Sequence, residues 1–135
     1  MSQMSDYLEG KILDHIFRTG SFTKPTTLAV GLFTAAPSDT GGGTEVTGGS
    51  YARASLNPLD ANWTGPTAGN GYTSNAVTIS FATPTAAWGT ITHFGIFDAT
   101  TSGNLLIWGS LAPASVVASG DTVTFQPGML AFTIK

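Results

Sequence analysis

Cysteine is absent from the 135 residues. That removes disulfide bridges, thiolate zinc sites and cysteine nucleophiles together. Charge is scarce too. Charged residues make up 10% of the chain, against about 25% in an ordinary soluble domain. Between residues 61 and 134 the only ionised side chains are Asp98 and Asp121. A net charge of −3 excludes the clustered Lys and Arg of a nucleic-acid footprint. No apolar run approaches the ~18–20 residues of a membrane helix. The opening MSQMSDYLEG carries acids where a secretory signal carries positive charge. The expectation is a chain made and kept in the cytoplasm until it is assembled, with neither nucleic acid nor membrane as its partner.

So little charge has two readings. The surface is a neutral one of Thr, Ser, Asn and Gly, or much of it is covered by other subunits, since interface cores are depleted in charge. At 135 residues the chain is long enough to bury a core without metal or disulfide, and it reads as one domain, 1–135.

One segment has the helical period. Leu8, Ile12, Leu13, Ile16 and Phe17 recur at 3.6-residue spacing, so residues 6–17 are predicted helical. Ser5 or Asp6 caps its start, Asp6 and Glu9 suit its positive end, and Gly20 is the expected stop. The face carrying Leu8, Ile12 and Ile16 is expected to bury against the domain or a neighbouring subunit.

After Pro25 the period changes to two. Alternating runs at 28–32, 77–81, 123–125 and 130–134, with 51–57, 90–97 and 105–112, predict about seven or eight strands. DATTSGN should close a hairpin over 90–112, and Gln126-Pro127-Gly128 should join the final two strands. Several short strands after one helix indicate a mainly β fold: an antiparallel β-sandwich or jelly-roll-like domain with one N-terminal α-helix. Two long loops, 38–49 and 58–72, interrupt the strands.

The search for chemistry returns little. Glycines 41–43 lack the Lys-Ser/Thr and following helix of a phosphate loop. Asp39 and Glu45 lack the alternating oxygen ligands of a calcium loop and read as solvated acids. The two histidines, His15 and His93, have no nucleophile elbow beside them and no metal-ligand spacing. No carboxylates pair suggestively for glycoside cleavage. The expectation is a non-enzyme without metal or cofactor. Trp88 and Trp108 read as core. Trp63, in ANWTGPTAGNG, either stacks on a sugar or a protein partner, or folds back over the end of the sandwich. Trp63 and Tyr72 are the candidate partner contacts.

The stretches YLEGKILDHIFRTGSFTKPTTLAVGLFTAAPSD, GTEVTGGSYAR, WGTITHFGIFDA and GNLLIWGSL together resemble a group of small structural proteins of tailed bacteriophages. Such proteins are often labelled phage tail fibre protein, and similar small β proteins serve as capsid decoration, or cement, proteins. The resemblance covers nearly the whole chain and brings no catalytic residues. It implies a virion protein that contacts the major capsid protein or other virion proteins. A homo-oligomer, trimer or dimer, is expected. Decoration of the head is the preferred role; a tail fibre, baseplate or adaptor component, with or without host-carbohydrate binding, is the alternative. Within WGTITHFGIFDA, strict alternation puts Thr92, Phe94 and Ile96 on one face and Ile91, His93, Gly95 and Phe97 on the other. His93 then serves as a polar handle bonded to a cross-strand neighbour or a loop carbonyl, and Gly95 admits a close aromatic neighbour.

Overall fold

A computed structural model of the chain describes residues 2–66 and 71–134. It is mainly β, with 39% strand and 9% helix. Ten strands flank and follow one helix: β1 (Ser2–Met4), α1 (Asp6–Phe17), β2 (Ala29–Ala35), β3 (Thr44–Glu45), β4 (Ala54–Ser55), β5 (Tyr72–Ser74), β6 (Ile79–Ser80), β7 (Gly89–Phe97), β8 (Leu105–Val117), β9 (Thr124–Phe125) and β10 (Ala131–Thr133). Every pairing between them is antiparallel. The count exceeds the expected seven or eight because β1, β3 and β5 are only two or three residues long, too short for an alternating pattern to show. Residues 67–70 of the second long loop lie outside the described residues.

The strands make one broad layer and one divided layer. The broad sheet runs β1-β8-β7-β2-β3, with β4 also paired to β2. Opposite it lie two ribbons, β10-β5 and β6-β9. Val30, Leu32, Phe94 and Ile96 from the sheet meet Ile79, Phe81, Leu130 and Phe132 from the ribbon side in the main core. A second, smaller cluster of Phe33, Phe97 and Leu105, with Trp108 against it, covers the sheet's other face. β2 is therefore buried on both sides, which is why AVGLF reads as a continuous apolar run.

The 90–112 hairpin forms as predicted, and β8 runs further, to Val117. Three expectations fail. Gln126-Pro127-Gly128 turns the chain, with Gly128 at φ 82°, but the strands it joins do not pair: β9 bonds to β6 and β10 to β5. Asn75 holds this crossing in place. Its side chain is fully buried, Nδ2 donates to Val77 O at 2.8 Å and Gln126 O at 2.9 Å, and Oδ1 accepts from Leu130 N at 2.9 Å. The alternation in β7 also breaks. Ile91 pairs with Ser115 but His93 pairs with Ser110, so β8 bulges over residues 111–114, where the Ala112–Pro113 bond is cis. The irregularity returns Ile91 to the same core cluster as Phe94, three residues on. Val77 also departs from its run: it lies outside β6 and is exposed.

α1 spans the predicted residues. Ser5 is its N-cap: the hydroxyl accepts from Leu8 N at 3.2 Å and donates to Leu105 O, tying the helix start to β8. The other end is capped by Arg18, not by the expected Gly20, which lies two residues further on with tight room for a Cβ, 3.0 Å from that of Asp14. Burial is narrower than expected. Leu8 is buried and Ile12 half-buried, but Ile16 is 63% exposed, beside Leu13 and Phe17 at 55% and 76%. The apolar residues span about half the helix circumference at 100° per residue, and the sheet covers only the Leu8–Ile12 side.

Candidate functional site

His93 lies on the outer face of the sheet, half-buried, between Phe33 on β2 and Ser110 on β8. Its Nδ1 shares a 2.8 Å hydrogen bond with the hydroxyl of Thr92, the preceding residue, rather than with a cross-strand partner or loop carbonyl. The ring leans on Trp108 with centroids 6.1 Å apart, and Trp108 Nε1 donates to Asp39 at 3.0 Å. Gly95 plays its expected part: a Cβ there would sit 2.8 Å from Leu105 Cδ1 and 3.0 Å from Phe33 Cε2. Among the described residues no three of His, Asp and Glu converge as metal ligands. The other tryptophan of this hairpin region, Trp88, is core, edge-on to Tyr51 at 5.2 Å.

The most organised polar group was not visible as such in the sequence. Glu45 is not a solvated loop acid. β3 lays it across Gly31 of β2, where a Cβ would come within 2.9 Å of Glu45 Oε1. Arg53 grips it with two bonds of 2.8 Å, Nε to Oε1 and Nη2 to Oε2. The guanidinium lies flat on Phe97, 3.4 Å from the ring centre, and Nη1 donates to the carbonyls of Ala99 and Ser102 in the hairpin turn. Tyr51 completes the set: its hydroxyl donates to Glu45 Oε1 and accepts from Leu32 N, both at 2.9 Å. Burial pushes the Tyr51 phenol well above its ordinary range, with the Glu45 charge adding to the effect. GTEVTGGSYAR therefore encodes a structural clamp. It fastens β3, the glycine turn at 48–49 and the β7–β8 turn onto the back of the sheet. Four of the five Arg53 N–H donors and the Tyr51 hydroxyl are engaged by the chain itself, which gives the set a structural use.

Two surface recesses stand out among the described residues. An apolar groove of about 310 Å³ runs between the start of α1 and the loop after β4, bounded by Leu8, Leu59, Asp60, Trp63, Ile107 and Phe132. Trp63 folds back over the sandwich end: the ring packs 5.7 Å from Phe132, and Nε1 donates to the carbonyls of Leu56 and Asn57. One edge of it still lines the groove. Tyr72 is half-buried on β5 opposite Thr133 and, one step from groove-lining Thr73, faces the other way. The two residues singled out from the sequence are thus not brought together. A wider cleft of about 910 Å³ lies between the β8 bulge and the ends of the described chain, lined by neutral groups such as Gln3, Ser110, Thr124 and Gln126 and by the acids Glu9 and Asp39.

A family model described as podophage GP4 fiber I protein gp80 matches residues 3–133. The chain belongs to this fiber I family. No curated protein matches it. The fiber I match begins in β1 and ends with β10, so it takes in α1, the clamp, both layers and both recesses. The resemblance to phage structural proteins seen in the motifs thereby becomes membership of a phage fibre family.

Proposed function

We propose that the chain is a non-enzymatic building block of a phage fibre, carried on the virion and working through contacts with other virion proteins. The observation that carries this reading is the fiber I match over 131 residues, 3 to 133. The use of the polar side chains supports it. The clamp of Glu45, Tyr51 and Arg53, the His93–Trp108–Asp39 row and the buried Asn75 are spent on one another or on nearby backbone. Among the described residues, neither of the two recesses is lined by histidine, cysteine or lysine.

A second reading, capsid decoration on the major capsid protein, is favoured by one feature. The described chain is a compact body without heptads or a repeating shaft, and such a body needs only a docking face. Copy number separates the two. Quantitative mass spectrometry of purified virions, with labelled antibody located by electron microscopy, should find a few to a few dozen copies at the fibres. Hundreds of copies spread over the head would replace the fibre reading with the decoration reading.

A further inference from the structure

The uncovered half of α1 and the groove beside its first turn fit one another, and we infer that a second copy of this chain joins them. Eight large apolar side chains are exposed among the described residues, and four of them belong to these two features: Leu13, Ile16 and Phe17 on the helix and Leu59 on the groove rim. Each is more than half exposed, from 55% for Leu13 to 76% for Phe17, so each copy leaves open an apolar face of the kind that a specific interface covers. The domain cannot close its own groove with its own helix end. Leu8 lines the groove, and Phe17 stands nine residues further along a rigid helix, about 13 Å away.

A two-fold axis removes the difficulty. Two α1 helices set antiparallel put the Leu13–Phe17 end of each copy over the groove of the other, and the contact occurs twice. Charge agrees with this arrangement. The chain carries −3 overall, yet of the four basic residues among the described ones, three, Lys11, Arg18 and Lys24, fall on or just after α1, where Asp14 pairs with Arg18 at 3.1 Å and leaves Lys11 and Lys24 as the unbalanced cations. Acids stand at the other end, Asp6 and Glu9 on the first turn and Asp60 at the groove. Antiparallel pairing brings the basic end of each helix to the acidic end of its neighbour and opposes the two helix dipoles. Ion pairs at such a rim set orientation more than affinity, while Phe17 and Ile16, seated beside Trp63 and Leu59, supply the apolar anchor. This inference concerns self-association and does not depend on whether the protein sits on a fibre or on the head.

The absence of cysteine makes the test direct. Phe17→Cys and Leu59→Cys introduced together should give a rapid disulfide between copies on mild oxidation. Each single variant, and Leu59→Cys paired with Val116→Cys on β8, should not. In sedimentation, Phe17→Asp should weaken self-association at least tenfold without lowering the melting temperature of the monomer, because Phe17 is exposed within one copy. Asp60→Lys should also weaken it, and Arg18→Asp in the same chain should restore it. A folded wild-type chain that stays monomeric at all concentrations would overturn the inference and give the face to another virion protein. Self-association that Phe17→Asp leaves unchanged would overturn it equally.

Discussion

Replacing Asn75 with Asp changes one atom's chemistry and almost no volume. The native amide donates two hydrogen bonds, to Val77 O and Gln126 O, and accepts one from Leu130 N, at a position with no exposure to water. A carboxylate there would point an anion at two carbonyl oxygens. The protonated acid can still donate to one of them and accept from Leu130 N, so at low pH Asn75→Asp should lose about one hydrogen bond, ~1–2 kcal/mol. The folded state then holds that proton and the unfolded state does not. Burial and the facing carbonyls raise the folded pKa, so stability is retained below the unfolded value of about 3.9 and falls as pH rises above it. The slope is about 1.4 kcal/mol per pH unit, or roughly 4 kcal/mol lost by pH 7. That is a large share of the ~5–15 kcal/mol typical of a whole domain. Denaturant titrations followed by tryptophan fluorescence at a series of pH values measure it. Asn75→Ala is the control: it loses all three bonds, about 3–5 kcal/mol, with no added pH dependence. Parallel pH profiles for wild type and Asn75→Asp would refute the placement of this side chain.

Gly95→Ala should cost about 1–3 kcal/mol by overpacking, because its Cβ would press on Leu105 and Phe33; thermal melts will show it. Tyr51→Phe should cost about 1–3 kcal/mol near neutral pH, since Leu32 N–H loses its buried acceptor. The raised Tyr51 pKa gives wild type a stability that is complete below pH ~10 and is lost as pH rises further, and that added loss should be missing from the Tyr51→Phe profile. Leu8→Ala should cost about 2–4 kcal/mol, whereas Ile16→Ala in the monomer should stay within ~0.5 kcal/mol, a contrast that denaturant midpoints read directly.

The long elements were legible in the sequence and the short ones were not. α1 and the β7–β8 hairpin span several periods of their patterns, so their apolar residues repeat often enough to be seen. β3 and β5 have two or three residues, and their pairing is decided by what lies beside them. The partner choice of β9 and β10 was hidden for a related reason. A turn such as Gln126-Pro127-Gly128 bends the chain without stating which strand it meets next, and here a buried Asn 51 positions earlier takes that decision. The clamp shows the opposite limit. Glu45 and Arg53 are eight apart with no period linking them, and a loop acid is ordinarily solvated, so nothing local marked Glu45 as half-buried. Ile16 was misjudged because a helical stripe reports which residues are apolar, not how wide a surface awaits them.

The two ends of the described chain touch. Ser2 Oγ accepts from Thr133 N at 3.2 Å, across 131 positions, and β1 completes the sheet against β8. Topologically the described chain comes almost full circle, from β1 back to β10. β1 cannot find its place until β8, about a hundred residues later, has been made, so the two strands form their ladder late. Gathering ends this far apart costs a free chain on the order of 4 kcal/mol in loop-closure entropy. A short covalent link between them would move that cost from folding to ligation, and new ends could then be opened at an exposed turn such as 118–121 with the sandwich intact.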